Sequence, residues 1–388
     1  MTVPVLWLYG PPGVGKSTVA WEVFTELSGA GRRIAYADLD QLGMCYGPPT
    51  AQNWAPEPSA DDGRHRLQAG TLDAMLPEFP RAGAEGVVVS RVVDRTLGAD
   101  PVLLRQAELT ALRLRVDLPE LQRRLTGRDR PDEVSDPTLQ YARDLDRLTG
   151  PWLDTTGQTV AETVLAVAER VAGWPDPEAQ TAARPPEPET ESEQPTPQAR
   201  RRPPGRVLWL CGPTAVGKST VGWQVYQQAG RRGLHTGFVD LQQISFLRPA
   251  APGDPLGHRL GARNLAVLWR SFRAAGADHL VVVGHLASPE ADRPYRAALP
   301  DGNLTVCRLR SGHDQLRERV AARGEGRGPQ IAGDELRGQP ADVLAGRAER
   351  AVEEADRLDV ADPGDCWIDT DRSPDLVAGE ILERVGWR

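Results

Sequence analysis

The stretch GPPGVGKS, from Gly10 to Ser17, decides the fold, and GPTAVGKS repeats it from Gly212 to Ser219. Both satisfy the pattern GxxxxGK(S/T), and each lies between an apolar run and an amphipathic segment, which predicts a strand before it and a helix after it. Glycines permit backbone angles that other side chains exclude, so that successive amides can point at one anion at the helix N-terminus. The pattern therefore predicts a phosphate-binding loop in each half of the chain.

Lysine occurs at two positions only, Lys16 and Lys218, one in each loop, and the other cationic side chains are arginine. A compact ammonium is not interchangeable with a planar guanidinium. We expect these lysines to neutralise phosphate oxygens, and Ser17 and Ser219 to offer a hydroxyl to Mg²⁺. The residues predicted to hold the nucleotide are Gly10, Gly13, Val14, Gly15, Lys16, Ser17 and Thr18 in the first loop, and Gly212, Ala215, Val216, Gly217, Lys218, Ser219 and Thr220 in the second.

The two loops belong to a longer internal repeat. A shift of 202 positions aligns residues 5–23 with residues 207–225, and fourteen of these nineteen positions are identical. Such a match indicates duplication of a whole unit. Residues 176–204 are dominated by Pro, Glu, Thr, Gln and Ala, and we interpret them as a flexible linker. The predicted domains are therefore residues 1–175 and 205–388.

Within each unit, continuous apolar runs alternate with helical patterns, which is typical of parallel strands covered on both faces. The pattern predicts five strands per unit, and one helix from Arg64 to Phe79 among the intervening segments. Loops rich in proline and glycine follow the second strand of each unit, at residues 43–63 and 248–257. They either bind substrate or serve only as connections.

Ligands of open parallel sheets lie beyond the carboxyl ends of the strands, so the residues that follow each strand are the candidates for chemistry. Asp38 and Asp40 follow the second strand. Asp38 is placed to hold the water shell of Mg²⁺ opposite Ser17, and Asp40 to accept the proton of an acceptor hydroxyl. The alternative is that Asp38 caps a helix and Asp40 is a surface charge. Asp240 and Gln242 stand at the corresponding positions of the second unit.

Cationic candidates follow the third and fourth strands. Arg91 would bind an anionic substrate or form part of a solvated basic surface, and His285 is aligned with it in the second unit, where a lone histidine is more often structural. Arginine-rich turns come later, in which Arg128 and Arg323 would close over the γ-phosphate, although a solvated basic surface is the alternative. The predicted catalytic residues are Lys16, Asp38, Asp40, Arg128, Lys218, Asp240 and Arg323, and the predicted metal ligands are Ser17, Asp38, Ser219 and Asp240.

Composition limits the partners. The net charge of −8 argues against nucleic-acid binding, which needs a basic face. No apolar stretch approaches the about 20 residues of a membrane span, and the first residues read as a strand rather than a signal peptide, so a cytoplasmic protein without a membrane partner is expected. The four cysteines show no metal spacing and are expected to be reduced.

Each unit resembles the P-loop kinases of the shikimate, gluconate, nucleotide and chloramphenicol phosphotransferase group. The resemblance rests on the two phosphate loops, on Asp38 and Asp40, and on the Asp-Thr pairs at residues 154–155 and 369–370, which resemble the adenine-side loop. It implies an α/β fold with two P-loop NTPase domains, each a five-stranded parallel sheet in the order 2-3-1-4-5. It also implies ATP and Mg²⁺ as cofactors and a small-molecule hydroxyl as the acceptor.

Two main functions remain open at this point, and a self-contained ATPase that releases phosphate without an acceptor is a third alternative. One is a tandem ATP-dependent small-molecule kinase whose second unit is weaker or regulatory, because Gln242 replaces the second aspartate. The other is a regulatory or adaptor protein that holds ATP as a switch or a structural ligand. A GTPase is excluded, because its Asn-Lys-x-Asp segment needs a lysine and none remains outside the two loops.

Overall fold

A computed structural model describes residues 2–46, 62–126, 136–175, 203–286, 288–300, 302–328 and 333–388. The N-terminal unit contains, in chain order, β1 (Val3–Tyr9), α1 (Lys16–Gly29), β2 (Ile34–Asp38), β3 (Cys45–Tyr46), α2 (Asp62–Met75), α3 (Glu78–Arg81), β4 (Gly86–Arg91), β5 (Ala107–Arg115), α4 (Leu118–Thr126), α5 (Asp136–Asp146), β6 (Trp152–Asp154) and α6 (Val160–Arg170). Within the described ranges, every helix is too short or too polar to cross a bilayer.

The C-terminal unit repeats this succession. It contains β7 (Gly205–Cys211), α7 (Lys218–Arg231), β8 (Thr236–Asp240), β9 (Phe246–Arg248), α8 (His258–Ala274), β10 (His279–Val283), α9 (Arg293–Ala298), β11 (Gly302–Arg310), α10 (His313–Gly324), α11 (Ala341–Ala361), β12 (Cys366–Asp369) and α12 (Pro374–Arg384). The predicted domain limits at residues 175 and 205 stay a prediction, because residues 176–202 lie outside the described part of the chain.

Five parallel strands form the body of each sheet. Their spatial order is β6-β5-β1-β4-β2 in the N-terminal unit and β12-β11-β7-β10-β8 in the C-terminal unit. Counting only these five strands, both orders read 2-3-1-4-5 from the opposite edge. All residues of β1 and of β4 are buried, because helices cover both faces of the sheet. The α/β class and the two-unit organisation expected from the sequence are thus present.

Each sheet has a sixth strand that the sequence did not predict, and it comes from the other unit. Strand β9 pairs antiparallel with β2, with Tyr36 opposite Phe246 and Ile34 opposite Arg248. Strand β3 pairs antiparallel with β8, with Cys45 opposite Gly237. The five parallel strands predicted for each sheet are present, and the antiparallel sixth strand is an addition to them. The exchange covers the edge of β2 and of β8, whose backbone groups would otherwise lack partners.

Side-chain packing stabilises this exchange of strands. Phe246 inserts its ring among Trp21, Phe24 and Tyr36 of the N-terminal unit, with a centroid distance of 4.7 Å to Trp21. At the corresponding place Met44 packs against the C-terminal core, and its carbonyl accepts a hydrogen bond from the amide of Phe238 at 2.8 Å. One buried apolar cluster contains residues of both units. The two units therefore share a continuous core.

Two helical segments differ from the prediction. The single helix expected from Arg64 to Phe79 is divided into α2 and α3 around Pro77, which lacks an amide hydrogen and cannot continue the first helix. Helix α9 was not anticipated. Of the proline-rich loop at residues 43–63, the first part forms β3, and residues 47–61 lie outside the described residues.

Candidate functional site

Both glycine-rich loops connect the first strand of their unit to its first long helix. A Cβ atom at Gly10 would lie 2.5 Å from the carbonyl oxygen of Leu114, and one at Gly212 would lie 2.6 Å from that of Leu309, so only glycine fits at either position. The glycine before each helix, Gly15 or Gly217, has a left-handed backbone. The predicted nucleotide residues thus form two loops whose amides gather at a helix N-terminus, as an anion requires.

The lysines occupy the expected place in these loops. Lys16 Nζ donates to the carbonyl oxygen of Pro11 at 3.4 Å. Lys218 Nζ donates to the carbonyl oxygens of Gly212 and Pro213 at 2.9 and 2.8 Å. Burial lowers the pKa of Lys218, while the charges of Glu354 and Asp240 act in the opposite direction. An anion that replaced the two carbonyls would stabilise the charged ammonium.

In the N-terminal unit, Asp38, Asp40 and Arg91 form a charged group beside the loop. Asp40 donates its amide to Asp38 Oδ1 at 2.9 Å, and its carboxylate pairs with the buried guanidinium of Arg91. Burial, reinforced by the charge of Asp40, raises the pKa of Asp38 to about 7. Lys16 and Arg91 oppose this increase. The fold has therefore brought four of the predicted side chains into electrostatic contact.

In the C-terminal unit, Ser219 and Asp240 lie close enough to share a ligand. Ser219 Oγ donates to Asp240 Oδ2 at 3.2 Å, and the amide of Gln242 donates to Asp240 Oδ1 at 3.1 Å. Burial raises the pKa of Asp240, although these hydrogen bonds oppose it. Because the Asp240 amide donates to Gln41 Oε1 of the N-terminal unit at 2.8 Å, the exchange of strands reaches this site.

These oxygens fit the chemistry of Mg²⁺, which prefers hydroxyl, carboxylate and phosphate ligands. In the C-terminal unit the hydroxyl and carboxylate of the predicted pair already touch. In the N-terminal unit, Ser17 is exposed at the start of α1, and burial, together with the charge of Asp40, raises the pKa of Asp38, so that a bound cation would stabilise its carboxylate. Within the described ranges, no three acidic, histidine or cysteine side chains come together as a metal cluster.

The alignment of Arg91 with His285 is wrong by one residue. Ser90 pairs with Leu8 across the sheet, whereas Val283 pairs with Leu210, the counterpart of Leu8. Gly284 therefore stands at the position of Arg91, and His285 lies one residue further on. The strand ends differ in sequence, so the apolar pattern alone did not fix this register.

The predicted catalytic arginines have different outcomes. Arg128 lies outside the described residues. Arg323 lines the cleft of the C-terminal unit, but its Nε donates to Asp334 Oδ2 at 2.8 Å, so it is already engaged in an ion pair. Its role over a γ-phosphate stays a prediction.

Two other arginines link the phosphate loop to the predicted adenine-side loop. Arg124 donates to the carbonyl oxygens of Val14 at 3.1 Å and Thr155 at 2.9 Å. Arg319 repeats these contacts, to Val216 at 3.1 Å and to Thr370 at 2.8 Å. Arg124 lies on α4 and Arg319 on α10, and sequence reasoning assigned no role to either. The signal that would have found them is the shared spacing Leu-x-x-Arg-(Leu/Val) in α4 and α10.

A cleft of about 850 Å³ opens beside the loop of the C-terminal unit. Helix α11 contributes Glu354 to its wall, and the residue after β10 contributes His285. Glu354 Oε2 accepts hydrogen bonds from the amide and hydroxyl of Thr214 at 3.0 and 3.2 Å, and Oε1 lies 2.8 Å from His285 Nδ1. Sequence reasoning missed Glu354, because a single acid on a helix carries no motif.

The strand order, the helix-capping glycine loops and the acid at the end of the second strand define a class: two units of the P-loop NTPase fold in one chain. The solved structures to which the chain is similar are P-loop kinases and related proteins, and each matches about half of it. A tunicamycin resistance protein from Deinococcus radiodurans is 18% identical, covers 47% of this chain and 96% of its own, and gives a TM-score of 0.30.

Shikimate kinase from Aquifex aeolicus is 17% identical over 46% of this chain and 96% of its own, with a TM-score of 0.28. A gluconokinase from Sinorhizobium meliloti is 17% identical over 48% of this chain and 94% of its own, with a TM-score of 0.31. No family model and no curated protein matches the sequence.

Proposed function

We propose that the protein binds Mg²⁺-ATP at both loops and that its N-terminal unit transfers the γ-phosphoryl group to the hydroxyl of a small molecule. The observation that carries this proposal is the group formed by Lys16, Asp38, Asp40 and Arg91 at the carboxyl ends of adjacent strands. Phosphoryl transfer needs positioning, charge neutralisation and an acceptor for one proton, and these side chains supply each of them.

The roles follow from the contacts. Lys16 and the loop amides would bind the phosphates, and Ser17 and Asp38 would hold Mg²⁺, which supplies charge neutralisation when bound. Asp40 is about half exposed, so its carboxylate can reach an acceptor hydroxyl and take its proton. Arg91, with 2% of its side chain exposed, fixes Asp40 from the protein side. In the C-terminal unit, Lys218, Ser219 and Asp240 would bind the nucleotide in the same way.

Calorimetry with Mg²⁺-ATP tests binding. Lys16→Ala and Lys218→Ala should each abolish one binding event or weaken it about 10- to 100-fold, as expected for the loss of a charged hydrogen bond of about 1.5–3 kcal/mol. Transfer is tested with γ-labelled ATP and a metabolite extract of the source organism. Asp40→Asn should reduce labelling of the acceptor about 10²- to 10⁴-fold while ATP still binds. Glu169→Gln, an exposed change on α6, is the control and should alter neither.

A nucleotide-dependent regulatory protein is the second candidate. The exchanged strands and the contact of Gln41 with the Asp240 amide favour it, because they connect the two predicted sites directly. Such a protein would bind ATP and leave every small molecule in the extract unlabelled. In addition, occupancy of one loop would change the affinity of the other, which calorimetry on the Lys16→Ala and Lys218→Ala variants measures.

A further inference from the structure

The cleft of the C-terminal unit contains a histidine and a glutamate that the mechanism above does not use. His285 follows β10, and Glu354 lies on α11. Their side chains meet with His285 Nδ1 2.8 Å from Glu354 Oε1, and both line the cleft together with Lys218, Ser219 and Asp240. A histidine and a carboxylate at this distance, beside a predicted phosphate site, form an arrangement able to move a proton.

Glu354 is held in place from two sides. Its Oε2 accepts from the amide and the hydroxyl of Thr214, at the outer part of the loop, and only 13% of its side chain is exposed. Burial alone would raise the pKa of Glu354, but His285, Lys218 and the Thr214 amide together lower it. Glu354 is therefore a carboxylate near neutral pH, and it lies beside the Nδ1 edge of the imidazole ring.

His285 is free to act on the other side of its ring. His285 Nδ1 lies 2.8 Å from Glu354 Oε1, and 46% of the His285 side chain is exposed. Among the described residues, Nε2 has no hydrogen-bond partner. The ring therefore offers one nitrogen to the cleft while the other is oriented by a carboxylate.

The N-terminal unit lacks every part of this pair. Pro12 replaces Thr214 and has no amide hydrogen to hold a carboxylate. Trp152 and Trp367 occupy matching positions in the last strands of the two units. Leu139 precedes Trp152 by as many residues as Glu354 precedes Trp367, and it packs against the core. Conversely, Gln242 and Gly284 replace Asp40 and Arg91. The pair is thus present in the unit that lacks the aspartate predicted to take the acceptor proton.

We propose that His285 is the general base of the C-terminal unit and that Glu354 is its positioning residue. The inference rests on the proposed function, in that it assumes ATP at the Lys218 loop. In the step, His285 Nε2 takes the proton of the acceptor hydroxyl, and the acceptor oxygen forms a bond to the γ-phosphorus. The bond from that phosphorus to the bridging oxygen breaks, and its electron pair leaves with ADP. Glu354 stabilises the imidazolium that results.

The test uses the full chain with Lys16→Ala, which weakens ATP binding at the N-terminal loop, and the rate of Lys16→Ala/Lys218→Ala is subtracted as the background. Because the acceptor is unidentified, the probes are water and added glycerol, and the measured quantity is release or transfer of label from γ-labelled ATP. His285→Ala should reduce the Lys218-dependent rate about 10²-fold at saturating ATP, with the Kd for ATP nearly unchanged. Added free imidazole should restore at least about a tenth of the rate that His285→Ala loses, since it can enter the space that the exposed side chain leaves.

Glu354→Gln should also lower the rate at saturating ATP. The matched control is His313→Ala, which removes another histidine paired with a carboxylate and should leave this rate unchanged. The inference is overturned if ATP binds at the Lys218 loop but no Lys218-dependent turnover is found, or if His285→Ala turns over normally. It is also overturned if Glu354→Gln is faster than its parent, because Glu354 would then block the loop. Absence of ATP binding at the Lys218 loop would instead contradict the proposed function of this unit.

Discussion

The Phe246→Ala variant asks whether a residue of the C-terminal half stabilises the N-terminal sheet. Phe246 is 7% exposed and lies in β9, at the outer edge of that sheet. Its ring centroid is 4.7 Å from that of Trp21, 6.0 Å from Tyr36 and 6.3 Å from Phe24, and all three partners belong to the N-terminal unit. The loss of these contacts should therefore be felt in the other half of the sequence.

The magnitude follows from burial. Truncation of a buried phenylalanine to alanine costs about 3–5 kcal/mol, part of which comes from aromatic pairs worth about 0.5–1.5 kcal/mol each. A loss of about 4 kcal/mol corresponds to a factor of about 10³, since about 1.4 kcal/mol is tenfold. The amides of Ala35 and Tyr36, which belong to the strand that pairs with β9, should lose protection against hydrogen exchange by about that factor.

Hydrogen exchange of the full chain, followed by mass spectrometry, measures this effect in each sheet separately. Leu316→Ala is the matched control, because Leu316 is fully buried in the core of the C-terminal unit and should loosen the C-terminal sheet. If Phe246→Ala increased exchange in β8 and β10 but left β2 and β4 unchanged, the strand exchange would not stabilise the N-terminal sheet and the reasoning would be refuted.

Two further predictions concern stability. Gly10→Ala should lower the free energy of unfolding by about 1–3 kcal/mol, because its Cβ would meet the backbone oxygen of Leu114. Gly70 lies on α2 with open space around it, so Gly70→Ala should raise the free energy of unfolding by about 0.5–1 kcal/mol. Urea denaturation measures both changes. Burial, aided by the charge of Arg206, lowers the pKa of His279. The unfolded chain therefore takes up the proton first, so stability should decrease as pH falls below about 6.5. His279→Gln should reduce the pH dependence of the free energy of unfolding between about pH 7 and 5, and an unchanged pH dependence would contradict this.

The sequence predicted the central parallel strands well because β1, β4 and β10 are largely continuous apolar runs. Strands β3 and β9 could not be predicted in this way. They contain two and three residues, too few to show a period, and each finds its partner in the other unit. Their pairing depends on long-range packing that no local pattern records.

The candidate site was predictable to a similar extent. Lys16, Asp38 and Asp40 were found because they sit in a motif or directly after a strand, where topology fixes the edge of the sheet. The equivalence of Arg91 and His285 was wrong because the two strand ends have different residues, and one position of register changes which side chain faces the site. Glu354 was missed because its position depends on the packing of α11 against the loop.

The differences between the two units are coupled, and the coupling has a physical cause. In the N-terminal unit the buried guanidinium of Arg91 pairs with Asp40, and removing that carboxylate would be strongly unfavourable. A Cβ atom at Gly284 would lie 2.8 Å from Leu241 Cδ1 and 3.2 Å from Leu241 Cβ, so an arginine there would require the Leu241 side chain to move. An aspartate in place of Gln242 alone would add a carboxylate without an arginine at position 284 to pair with it. Forming an Asp-Arg pair in the C-terminal unit would therefore need substitutions at both Gln242 and Gly284.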